Sequence, residues 1–167
     1  MPLTRERPEL KGERLMLQFR WSLTKTEDNY ERQGTFWIST DSGDFPCRGW
    51  KAFPLRKLIY FTSQTYDIVH TPYITKGNIP FDPYYVRLDS SQQGRVTLHF
   101  LRSYLPQPLE KLPSVTLPFF DFCRIVLEAG SELLETNRSG DFGTPMELQL
   151  LERRMELLLS VIPKDQA

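Results

Sequence analysis

The chain is sparing with the residues that most often carry catalysis and metal binding: two histidines and two cysteines in 167 residues. Cys47 and Cys123 lie far apart and outside any Cys-x-x-Cys spacing, so neither a disulfide framework nor a close-spaced zinc site is expected. No apolar run approaches membrane-spanning length, and the stretch from Met1 to Gly12 is charged, unlike a secretory signal. The expected setting is therefore a bacterial cytoplasm with reduced thiols. An excess of charge is also missing: 21 Lys and Arg stand against 21 Asp and Glu. That balance argues against a dedicated nucleic-acid binder, whose affinity rests largely on neutralising phosphates. There is no phosphate-cradling glycine loop and no nucleophile elbow. Asp141-Phe142-Gly143 matches a kinase string, but the other kinase motifs are absent. No metal or cofactor is expected.

What is present suits one globular domain spanning 1–167, with residues 1–12 a flexible arm. The composition is 40% hydrophobic, 25% charged and 13% aromatic, so a substantial core can form. Leu15, Leu17, Phe19, Trp21 and Leu23 alternate with polar residues, the period of a half-buried strand. Thr35–Thr40 reads as its hairpin partner. Pro54 opens a helix whose apolar stripe is Leu55, Leu58, Ile59, Thr62, Tyr66 and Val69. Residues 70–83, with three prolines, read as a loop. Tyr84–Asp89 and Val96–Leu101 form a second hairpin. Leu105–Pro118, with four prolines, reads as a rigid crossover. Two amphipathic helices follow. One buries Phe119, Phe122, Cys123, Val126, Gly130, Leu133 and Leu134. The other starts at a Thr144-Pro145-Met146-Glu147 capping box and buries Leu148, Leu151, Met155, Leu158, Leu159 and Ile162. The expected fold is α+β, in ββαββαα order. Both hairpins share a small antiparallel sheet of about four strands, covered by helices.

Candidate reactive groups each have a structural reading beside the functional one. His99 alternates with core residues on a strand, so it faces away from the core. Cys47 sits on a loop, where a thiol is accessible, whereas Cys123 lies on a buried helical stripe and acts as a small hydrophobe. Asp28, Glu31, Asp41, Asp44 and Asp82 are loop carboxylates. Solvated turn positions explain them, and as a group they would also form an acidic patch facing a basic partner. The most distinctive segment is Phe45-Pro46-Cys47-Arg48-Gly49-Trp50-Lys51-Ala52-Phe53-Pro54. Its favoured reading is a hydrophobic loop that plugs the sheet end and staples the first helix.

Phe36–Leu55, with its Phe-Pro, Gly-Trp and Phe-Pro steps, and Phe81–Phe100, opening Phe-Asp-Pro-Tyr-Tyr-Val-Arg-Leu, carry a resemblance. The pattern resembles a loose group of small bacterial immunity proteins of polymorphic toxin systems. The resemblance implies a binding protein, not an enzyme. Such a protein neutralises a cognate toxin by occluding its active site, and contacts neither nucleic acid nor membrane. On that reading Asp28, Glu31, Asp41 and Asp44 contact a basic toxin. The alternatives are a small cytosolic hydrolase-like enzyme using Asp41, Asp44, His99 or Cys47, and a nucleic-acid regulator using Arg5, Arg7, Lys11 and Arg14.

Overall fold

Residues 3–6, 17–25, 34–102, 105–108, 112–138 and 144–166 are described in the computed structural model of the chain. Alternation in the first hairpin resolves into β2 (Leu17–Lys25) and β3 (Gly34–Thr40), paired antiparallel from Leu17–Thr40 to Leu23–Gly34. Leu17, Phe19, Trp21 and Leu23 are buried as expected. On its other edge β3 carries β4 (Gly43–Phe45) and β5 (Lys51–Ala52). β1 (Leu3–Glu6) closes the far side of β2, so part of the expected arm is strand; residues 7–16 lie outside the described residues.

The second hairpin is β7 (Tyr84–Asp89) and β8 (Arg95–Arg102), with Val86, Leu88, Val96, Leu98 and Phe100 buried. It belongs to a separate sheet. β6 (Lys76–Phe81) pairs with β7, while β9 (Leu105–Pro108) and β10 (Val115–Pro118) pair with β8. The α+β class, the antiparallel pairing and the helical cover hold, but the hairpins expected to share one sheet sit in two. The cause is aromatic. Each sheet presents rings on its inner face, and Phe45 of the first packs on Phe81 and Phe100 of the second at 5.4 and 4.9 Å. Stacking the faces buries rings that edge-to-edge pairing would leave exposed on one side.

Residues 70–83 and 105–118, expected as a loop and a crossover, contain strands despite their prolines. β6 alternates fully, with Gly77, Ile79 and Phe81 buried and Lys76, Asn78 and Pro80 exposed. It is the edge strand of its sheet, where a proline's missing N–H need not break a ladder bond. β9 and β10 likewise lie on the edge of β8 away from β7.

Three helices cover the sheets: α1 (Pro54–His70), α2 (Phe119–Thr136) and α3 (Pro145–Val161). The buried stripe of α1 is Leu55, Leu58, Phe61, Thr62, Thr65 and Ile68. It is rotated from the expected one, leaving Ile59, Tyr66 and Val69 half-buried. Two threonines can be buried because each hydroxyl donates to a carbonyl one turn back, Thr62 to Leu58 at 2.8 Å and Thr65 to Phe61 at 2.6 Å. Phe61 thereby enters the space between the sheets. α2 buries Phe122, Cys123, Val126, Ala129, Gly130 and Leu133, close to expectation. α3 buries Leu151 and Leu158, with Ile162 buried just beyond it, but Leu159 remains exposed.

The start of α3 has the expected capping box. The Glu147 N–H donates to Thr144 Oγ1 at 3.2 Å, and the Thr144 N–H faces a Glu147 carboxylate oxygen at 3.4 Å. Thr144→Ala is expected to lower stability by about 0.5–2 kcal/mol in a urea titration, with Thr144→Ser close to wild type. Equal stability of the alanine and serine variants would show that the cap contributes nothing.

Candidate functional site

The segment between β4 and β5 has the most unusual local build. β4 and β5 occupy the same edge of β3, and the residues between them bulge out of the ladder. The Phe36 N–H donates to the Trp50 carbonyl at 2.9 Å and restores the pairing, while the Trp50 N–H closes a turn onto the Cys47 carbonyl at 3.2 Å. Gly49 sits at φ +71°, a left-handed conformation that favours glycine. Cys47, Arg48 and Gly49 are consequently pushed into solvent. Phe45, just before the bulge, is fully buried against Phe81, Tyr84 and Phe100. It does the plugging expected of the whole segment.

The aromatics after Phe45 stay at the surface. Trp50 is half-buried, its ring edge-on to Tyr84 at 5.8 Å. Phe53, the residue before α1, is 39% exposed under the Arg56 guanidinium at 4.6 Å. The Asp82-Pro83 turn between β6 and β7 leads directly into Tyr84, so the bulge, this turn and the start of α1 meet at one end of the molecule.

Lys57 belongs to this end. Its ammonium lies 4.7 Å from the Phe81 ring centroid and donates to the Pro80 carbonyl. Burial pulls its pKa down from 10.5 to about 8, partly opposed by the charge of Asp82. A lysine with a depressed folded pKa binds fewer protons folded than unfolded between those values, so stability attributable to it rises with pH across that window. Below about 8 both states are protonated and the cost of burying the charge is fully present. The stability difference between wild type and Lys57→Met is therefore expected to move in favour of wild type from pH 7.5 to 10. Urea titrations at both pH values check it, and a pH-independent difference would contradict it.

The remaining described candidates fall on both sheets and on two helices. Asp41 is exposed in the β3–β4 turn, and Asp44 on β4 is half-buried, accepting from Ser39 Oγ at 2.6 Å. Asp28 and Glu31 lie outside the described residues, as do Arg7, Lys11 and Arg14. Arg5 donates to the Thr136 carbonyl at 2.5 Å, at the end of α2. His99 shares a 2.9 Å hydrogen bond with Ser114 Oγ. Because Phe45 and Phe100 face the common core, strand alternation turns their neighbours Asp44 and His99 outward on different sheets. His70, at the end of α1, stacks on Tyr66 at 5.0 Å. Burial pushes the Cys123 thiol up to about 12, which makes it inert, whereas Cys47 is exposed.

A shallow groove of about 210 Å³ lies elsewhere, between Ile68 and Val69 of α1, the β7–β8 turn at Ser90, Gly94 and Arg95, and Phe119 and Phe120 of α2. It is smaller than a typical small-molecule pocket, and Arg95 is its one charged group. Among the described residues no group of three or more His, Cys, Asp or Glu side chains is placed to hold a metal ion, and no helix is long and apolar enough to cross a membrane. Comparison of the chain with protein-family models, with curated proteins and with solved structures finds no match.

Proposed function

We propose that the chain is a binding protein that neutralises a cognate bacterial toxin by covering its active site, without chemistry of its own. One observation carries the reading. Large apolar side chains stay at the surface just before and within α1, at Phe53 and Tyr60, after it at Tyr73, and along α3 at Met146, Leu150 and Leu159. Exposed aromatic and aliphatic anchors on rigid elements are what a protein partner buries at the centre of an interface. Asp44 bonds Ser39 and His99 bonds Ser114 on different sheets, an arrangement that a domain without catalysis tolerates. The resemblance of Phe36–Leu55 and Phe81–Phe100 to immunity proteins supports the same reading.

Co-expression with the product of the neighbouring gene tests it. The pair should co-purify, and the chain should restore growth that the neighbour alone suppresses. A neighbour that is harmless, or that neither binds nor is rescued, removes the neutralising reading and favours a hydrolase-like enzyme.

A further inference from the structure

Charge is distributed unevenly along this chain. Residues 45–66 carry four cations, Arg48, Lys51, Arg56 and Lys57, and no carboxylate, although acidic and basic residues balance at 21 each overall. The fold gathers these cations around the surface aromatics. Arg48 and Lys51 flank Trp50, both exposed. Trp50 packs on Tyr84, and Tyr84 stands opposite the exposed Arg102 in the β7–β8 register. Arg56 lies over Phe53, and Lys57 reaches the Phe81-Asp82 turn that leads back to Tyr84. Among the described residues counter-charges are few: Glu147 holds Arg56 at 3.0 Å and Asp82 lies near Lys57. Arg48, Lys51 and Arg102 have no ion pair among the described residues. The first turn of α1 contains no acidic residue, so the positive helix end adds to the field rather than offsetting it.

We propose that this end of the domain receives an acidic segment of a partner protein, with its carboxylates on Arg48, Lys51 and Arg102 and its apolar side chains on Trp50, Phe53 and Tyr84. Like charges held together on a neutral protein repel one another, and an acidic partner relieves that repulsion while steering its own approach. The half-exposed rings supply what charge cannot: apolar area that is released from water on docking and fixes the register. A protein fits better than a nucleic acid. The cations form a short ring around aromatics, interrupted by Asp82 and Glu147, and a phosphate backbone is tracked by a longer run of cations. The inference takes from the binding reading only that the partner is a protein. It moves the contact from the acidic positions Asp41 and Asp44 to the basic bulge.

The test is a nitrogen-15 NMR titration of the full chain with a short peptide rich in glutamate and leucine. A lysine-rich peptide and an oligothymidylate of equal charge are run beside it. Shifts are expected at Arg48, Trp50, Lys51, Tyr84 and Arg102 with the acidic peptide alone, weakening as salt rises. The exposed double variant Arg48→Glu/Lys51→Glu should keep the wild-type spectrum elsewhere and bind the peptide about tenfold or more weakly. Arg102→Glu, on the other sheet, should weaken it independently. No binding, shifts away from this end, unchanged affinity in the variants or tighter binding of the oligothymidylate each overturn the proposal. The neighbour's rescue assay separates the two readings. Rescue undiminished by Arg48→Glu/Lys51→Glu leaves neutralisation standing and removes the basic site. Peptide binding without rescue does the reverse.

Discussion

Phe61→Ala is expected to lower stability by about 3–5 kcal/mol, the largest cost of any single truncation in the core. The ring is fully buried and sits within 4.5 Å of Phe19, 6.1 Å of Phe36, 6.5 Å of Phe81 and 6.4 Å of Phe122, centroid to centroid. Those four rings come from β2, β3, β6 and α2, so one side chain on α1 touches both sheets and a second helix. Removing it takes away a large apolar group and leaves a cavity lined by rigid rings that cannot easily collapse into it. Among the described residues the two sheets share no strand pairing, and side-chain contact of this kind joins them. Phe53→Ala is the control: its ring is 39% exposed, and its loss is expected to cost less than about 1 kcal/mol. Urea titrations of both variants give the comparison. A Phe61→Ala no costlier than Phe53→Ala would mean that the aromatic cluster does not bind the layers together.

The sequence signals that survived are the ones set by local period. Leu17 to Leu23, Val86 with Leu88, and Val96 to Phe100 alternate because one face of each strand is buried, and alternation is written in the residues themselves. The Thr144-Pro145-Met146-Glu147 start of α3 was equally legible, because the cap and the glutamate that answers it are only three residues apart. Long-range choices were not. Which strands share hydrogen bonds depends on where chains separated by a helix come to rest, and nothing in Phe45 or Phe81 says that their rings meet across two sheets. β6 was hidden for another reason. Pro80 argues against a strand unless the strand is known to be an edge, and edge position is a property of the assembled sheet. In α1 the expected stripe already held Thr62; counting Thr65 with it would have turned the stripe toward Phe61 and Ile68.

For the site, the distinctive Phe45–Pro54 segment was visible, but the division of labour within it was not. Phe45 and Trp50 look alike as large aromatics. Only the bulge sends one into the core and leaves the other at the surface. The carboxylates at Asp41 and Asp44 drew notice because loop acids are conspicuous in sequence. The absence of any carboxylate from 45 to 66 is a quieter signal, and it marks the end where the cations converge.

Gly34→Ala is expected to cost about 1–3 kcal/mol or more, and to disturb the site as well as the fold. Gly34 is paired on both sides, with Leu23 of β2 and Ala52 of β5, so its backbone has no direction in which to retreat. A Cβ there would overlap the Ser22 carbonyl oxygen deeply and stand 3.1 Å from Cγ of Pro54. Both obstacles are stiff: one is sheet backbone, the other the ring that opens α1. Relief must come from moving β5 or the helix start, which are the elements that hold Trp50 and Phe53. Gly130→Ala is the informative contrast. Its Cβ would approach Met155 Sδ at 2.5 Å, an equally bad static overlap, but a thioether on three rotatable bonds can swing aside. Alanine also favours a helix over glycine by about 1 kcal/mol, which offsets the adjustment. Thermal or urea unfolding should therefore rank Gly34→Ala well below Gly130→Ala. The amide shifts of Trp50 and Lys51 should move in the first variant and stay fixed in the second. Equal stability of the two would show that the β2–β3–β5 junction yields as readily as a methionine side chain, and that the bulge is not held as rigidly as a binding site at this position requires.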